Sequence, residues 1–254
     1  MHRLPPEQQL LVLLQAFALI VLTFRIWQTG LYSVYSYFFG YLLADVVQIV
    51  MLAVVPFDSV TYRNGWLITE AIIVCFYVLV VLELYSIVLQ DLAGIATVSR
   101  RYLKVAVSLA IMVSLLMVGL ERNYGKLVAH MLTFERALTF SLVLFILLIM
   151  LFLVYYPVPL KRNVLAYTIG YVAYFLTKAT SIFIHNLGYY WNRVFSDTLI
   201  AASTACFLFW CFALTRRGET KTAVIGHQWN AADEERVLDQ LKAINANLLR
   251  VARK

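Results

Sequence analysis

Charge is what this sequence has least of. Only 14% of its 254 residues are Asp, Glu, Lys or Arg, against 62% hydrophobic, where a soluble domain carries about 25% charged residues. So few charges cannot cover a water-facing surface, and a soluble domain is excluded. Cysteine is scarce too. Cys75, Cys206 and Cys211 all fall within apolar runs, so no disulfide framework is expected in exterior loops. No Asn-x-Ser/Thr sequon occurs, so nothing points to glycosylation. Both absences favour a bacterial inner membrane over a eukaryotic cell surface. Proline is rare, and Pro56, Pro157 and Pro159 stand at the ends of apolar runs. Internal glycines are few, chiefly Gly40 and Gly170. Continuous, stiff helices are expected rather than the broken mid-membrane helices of secondary transporters.

Long apolar runs are what the sequence does have. About 20 apolar residues span the roughly 30 Å hydrocarbon core as a helix. Seven stretches qualify, at 9–28, 35–56, 66–90, 102–120, 136–156, 163–187 and 195–215. Breaks such as Gly30, Asn64-Gly65 and Glu121 to Gly125 separate them. No strand-like alternation recurs, and backbone groups in lipid must be satisfied internally. The expected fold is all-α: a polytopic seven-helix membrane bundle over 1–217, a linker over 218–232 and a cytoplasmic amphipathic helix over 233–254. The first run has no small-residue cleavage site and reads as an uncleaved span.

Orientation follows from the basic residues near the span ends. Arg25, Arg100, Arg101, Lys104, Lys161, Arg162, Arg216, Arg217 and Lys221 collect on one side. Arg3, Arg63, Arg122, Lys126, Arg136 and Arg193 collect on the other, with Glu7, Asp58, Glu121 and Glu135 among them. The nine-to-six bias places the N-terminus outside and the C-terminus in the cytoplasm. The net charge of +7 is then explained by the inner leaflet, and no nucleic-acid partner is implied.

Ionisable groups inside a bilayer cost about 2.5–3.5 kcal/mol each on insertion scales, so each points to a partner or cavity. Asp45, Glu70, Glu83 and Lys178 lie within spans. In the sixth span Tyr167, Tyr171, Tyr174, Lys178, Ser181 and His185 step by three and four residues, placing them on one stripe. Tyr41, Asp45 and Gln48 in the second span and Thr204 in the seventh add polar groups. The expected interior is polar, lined mainly by spans two, three, six and seven, while span five reads as lipid-facing. Counting depth at about 1.5 Å per residue brings Asp45 nearest Lys178. This network is either simple interhelical bonding or a pocket for a small molecule.

Several functional classes can be weighed. A buried lysine suggests a retinal Schiff base, but that lysine belongs in the last span and Lys178 is in the sixth. The acidic-Arg-aromatic triplet and Asn-Pro-x-x-Tyr of G-protein-coupled receptors are absent. His130 and His185 with Asp197 form a candidate metal set, without any His-x-x-x-His pair. No cofactor is implied. The reading is of a non-enzymatic receptor-like sensor or membrane scaffold. A proton or small-solute pathway and a metal-dependent membrane hydrolase are the alternatives. The tail carries Val237, Leu241, Ile244, Leu248 and Val251 at steps of four and three, an apolar seam. An isolated helix of that length is marginal in water, so it is expected to need a partner: a second copy or a cytoplasmic protein.

Overall fold

The structure is a computed structural model that describes residues 6–56, 59–89, 105, 108–109, 111–112, 127–155, 159–187, 192–220, 222–224 and 231–252. The expected span at 102–120 lies outside the described residues, apart from isolated helical positions between 105 and 112. Among the described residues there are seven α-helices: α1 (Pro6–Thr29), α2 (Ser36–Val54), α3 (Val60–Val88), α4 (Leu127–Tyr155), α5 (Arg162–Leu187), α6 (Asn192–Ala213) and α7 (Ala231–Ala252). Three are long and apolar enough to cross a membrane: Gln8–Thr29, Ser36–Val54 and Val60–Val88. The chain is a helical membrane protein. Ala137–Leu151 and Asp197–Ala213 are shorter apolar helical stretches.

Local chemistry sets the helix ends. Pro6 opens α1, where a missing N–H costs nothing. Gly30 ends it with φ of 73°, the left-handed conformation that a Cβ disfavours. Ser59 accepts from Tyr62 N at 2.9 Å and caps α3. The helices then pack in sequence, α1 on α2, α2 on α3, α3 on α4, α4 on α5 and α5 on α6, and α6 returns to α1. Leu13, Phe17, Ile20, Phe24 and Trp27 on α1 and Val47, Val50 and Val54 on α2 are exposed, as faces in contact with lipid tails should be.

The centre is aromatic. Trp210 of α6 lies 5.1 Å from Phe38 and 4.9 Å from Tyr171, ring centre to ring centre. Its indole presses on the bare Cα of Gly170, so a methyl group there would overlap the ring. Gly170→Ala should therefore destabilise by about 1–3 kcal/mol, measured as thermal unfolding in detergent. At Gly65 the added carbon meets only the end of the flexible Met51 side chain, so Gly65→Ala should cost much less. Equal losses would show that the Trp210 contact is not fixed.

Two expectations need correction. Span five is not simply lipid-facing. Leu138, Leu142, Val143, Ile146 and Ile149 are buried, and Glu135 and Thr139 are buried with them. The helix starts at Leu127, so Glu135 lies inside it rather than in a loop. The segment read as a linker from residue 218 is also partly ordered. Arg216–Glu219 is a 3₁₀ turn. Thr222–Val224 (β2) pairs antiparallel with Pro159–Lys161 (β1), Leu160 opposite Ala223.

That strand pair belongs to a plate of contacts at one end of the bundle. Glu219 accepts from Tyr35 at 2.8 Å and from Asn163 at 2.7 Å, and pairs with Lys161 at 3.3 Å. Asn163 also donates to the Thr215 carbonyl at 2.8 Å. Arg216 Nε donates to the Thr29 carbonyl at 2.6 Å, placing a cation at the C-terminus of α1. In α7, Leu241 is 4% exposed and Ile244 43% exposed, and Leu248 is half-buried. Leu241 is thus covered within the chain itself, while Ile244 at the centre of the seam is exposed. The side chains of Val237 and Val251 lie outside the described residues.

Candidate functional site

The stripe on α5 meets α3 and α4 at Lys178. Its ammonium lies 2.5 Å from Glu135 Oε1 and 3.3 Å from Glu70 Oε1. It donates a third bond to the Tyr77 hydroxyl at 2.5 Å. Glu70 Oε2 accepts from Gln48 at 2.9 Å, and Gln48 also donates to Thr69 at 3.1 Å. One cation thus ties α3, α4 and α5 together, and Gln48 adds α2.

The expected Asp45–Lys178 ion pair is replaced by these contacts. Asp45 Oδ2 instead lies 3.3 Å from the Tyr41 hydroxyl. Depth along the helix axis brought Asp45 close to Lys178, but the ammonium side chain turns towards α3 and α4. Between the two runs a line of hydroxyls. Tyr77 and Tyr174 are 3.3 Å apart, and Tyr174 and Tyr41 2.9 Å apart. Each phenol has one proton. Tyr41 is placed to donate its proton either to Tyr174 or to Asp45, so a line of hydroxyls connects Lys178 with Asp45.

This cluster faces a cavity of about 170 Å³. Asp45, Gln48, Glu70, Tyr77, Tyr174 and Lys178 line it, with Gln15 of α1 and Leu199, Ile200 and Ser203 of α6. Gln48, Tyr174, Asp45 and Lys178 thus line one cavity together.

Glu83 has a different place. Its Oε1 accepts from Ser36 Oγ at 3.1 Å and Tyr37 N at 2.9 Å. Its Oε2 accepts from Phe38 N at 3.2 Å and from Tyr167 at 3.3 Å. A carboxylate of α3 thus caps the N-terminus of α2, where unpaired N–H groups and the helix dipole favour negative charge. Tyr167 belongs to this cap. Tyr171 lies between the two clusters, and its buried hydroxyl has no partner among the described residues. Thr204 bonds the Ile200 carbonyl of its own helix at 2.7 Å.

Ser181, His130 and His185 have side chains outside the described residues. Asp197 lies on α6 with one buried oxygen unpartnered. Among the described residues no group of three or more His, Cys, Asp or Glu could hold a metal ion.

Glu135 and Tyr77 are the site residues that sequence reasoning passed over. Glu135 adjoins Arg136, and two charges at the edge of an apolar run resemble a loop. Tyr77 is seven residues from Glu70, two helical turns along one face of α3, and that spacing was the available signal. Comparison of the chain with protein-family models, curated proteins and solved structures finds no match.

Proposed function

We propose that this chain is a non-enzymatic, receptor-like membrane sensor whose input is the charged cavity and whose output is the cytoplasmic tail. The reading takes the chain as a seven-span bundle of a bacterial inner membrane, N-terminus outside. Lys161, Arg162, Arg216 and Arg217 gather at the plate formed by β1, β2 and the 3₁₀ turn, which supports placing that end in the cytoplasm.

The observation that carries the reading is the single ammonium joined to carboxylates of two other helices beside a cavity. Filling or charging that cavity alters the balance holding α3, α4 and α5. Helix α5 carries Asn163 in its first turn and Lys178 fifteen residues later, about 22 Å away at about 1.5 Å per residue. A shift of α5 is thereby delivered to Asn163, Glu219 and β2, from which the chain continues to α7. A ligand acts only through its differential affinity for the two arrangements.

Ser203→Leu, which fills the cavity from α6, imitates an occupant. Hydrogen exchange in β1, β2 and α7 should change in this variant, while the exposed outer face of α1 stays unaltered. Unchanged exchange at all three segments would remove the sensing reading. The alternative of a proton pathway is favoured by the line of hydroxyls from Lys178 to Asp45. Proton flux into liposomes that disappears in Tyr174→Phe would put that reading first. A scaffold remains the related reading in which partially exposed Ile244 meets a second copy or a cytoplasmic protein.

A further inference from the structure

The donors and acceptors around the cavity are unevenly committed. An ammonium has three N–H groups, and those of Lys178 go to Glu135, Glu70 and Tyr77. No donor remains on it for an incoming anion. Both Glu70 oxygens are also engaged, one by Lys178 and one by Gln48. Asp45 has spare capacity: it accepts only from Tyr41, at 3.3 Å, and has no cation within ion-pair distance among the described residues.

On α6 and α1, Ser203 and Gln15 also line the cavity and make no hydrogen bond among the described residues. Ser203 is only 5% exposed and still lines the cavity. A hydroxyl buried to that degree normally has a partner. The charge count points the same way, because Asp45, Glu70 and Glu135 face one lysine within an apolar bundle.

We propose that the cavity binds a small protonated amine, with the ammonium on Asp45 and a polar far end on Ser203 and Gln15. The space of about 170 Å³ equals about six waters at about 30 Å³ each, which suits an amine of a few heavy atoms. Tyr174 lines the same space and offers a ring to the cation. This assignment rests on the sensing reading in that it names the ligand of the same cavity.

A free amine and the amine of a lipid headgroup share this chemistry. The test therefore titrates the full chain, purified in an alkyl maltoside, with ethanolamine and separately with a short-chain phosphatidylethanolamine. Acetate and ethylene glycol are the controls, and calorimetry is the readout. One of the amines should bind, and the controls should not. Asp45→Asn should weaken binding by roughly tenfold or more, a difference of about 1.4 kcal/mol. Ser203→Leu should abolish it without touching the ionic cluster, and decides the matter should Asp45→Asn fail to fold. No binding of either amine overturns the proposal, as does binding that both variants retain. Binding of acetate or glycol in place of the amines also overturns it, yet leaves the sensing reading standing, which the exchange experiment tests on its own.

Discussion

Lys178→Met should be the most destabilising single substitution in the bundle. It removes a cation and leaves Glu70 and Glu135, 6% and 2% exposed, without their shared partner. Removing one member of a buried pair costs about 3–5 kcal/mol, because the remaining charge is uncompensated. Methionine nearly matches the lysine stem, so little of the loss comes from packing. The triple variant Lys178→Met, Glu70→Gln, Glu135→Gln should recover most of the loss, since no charge is left to bury. Thermal unfolding in detergent, arranged as double-mutant cycles, separates the terms. Coupling of Lys178 to Glu135 and to Glu70 should be large, and coupling to Asp45 small. A dominant Asp45 coupling would return the ion pair to the partner that depth alone suggests.

Glu83→Ala should come second, at about 3 kcal/mol. The carboxylate receives four hydrogen bonds, two of them from the backbone N–H groups of Tyr37 and Phe38. Hydrogen bonds to a charged group contribute about 1.5–3 kcal/mol each, and they overlap here because they share one acceptor. Glu83→Gln should retain part of the cap, as one amide oxygen still accepts. Tyr167→Phe should cost only about 1 kcal/mol. Hydrogen exchange locates the effect: Glu83→Ala should speed exchange in the first turn of α2 and leave the α3–α4–α5 cluster protected. A loss spread evenly over both would mean that Glu83 serves the interior as a whole rather than the start of α2.

The two carboxylates of α3 show how differently sequence and structure treat similar residues. Glu70 and Glu83 are both acidic residues in one apolar run, and each demanded a partner on energetic grounds. Glu70 sits two turns from Tyr77 and faces α4 and α5. Glu83 lies beyond them along the helix, where the chain between α1 and α2 brings free N–H groups within reach. The demand for a partner was readable in the residue type. The partner depended on which element was adjacent. The tail gives the same lesson, since the step of four and three showed an apolar seam, while burial of Leu241 within the chain required the folded protein.

From sequence alone, then, came the membrane class, the helical form, the positions of the long apolar runs and the need for a polar interior around Lys178. These depend on hydropathy and spacing, which are one-dimensional properties carried by each segment separately. Tertiary structure decided that Lys178 joins Glu70 and Glu135, that Glu83 caps α2, that Arg216–Glu219 forms a turn and Thr222–Val224 a strand, and that Ser203 and Gln15 face a cavity. Those outcomes depend on the rotation of each helix about its axis and on which helices touch. Packing such as Trp210 against Gly170 sets both, and no single segment contains that information.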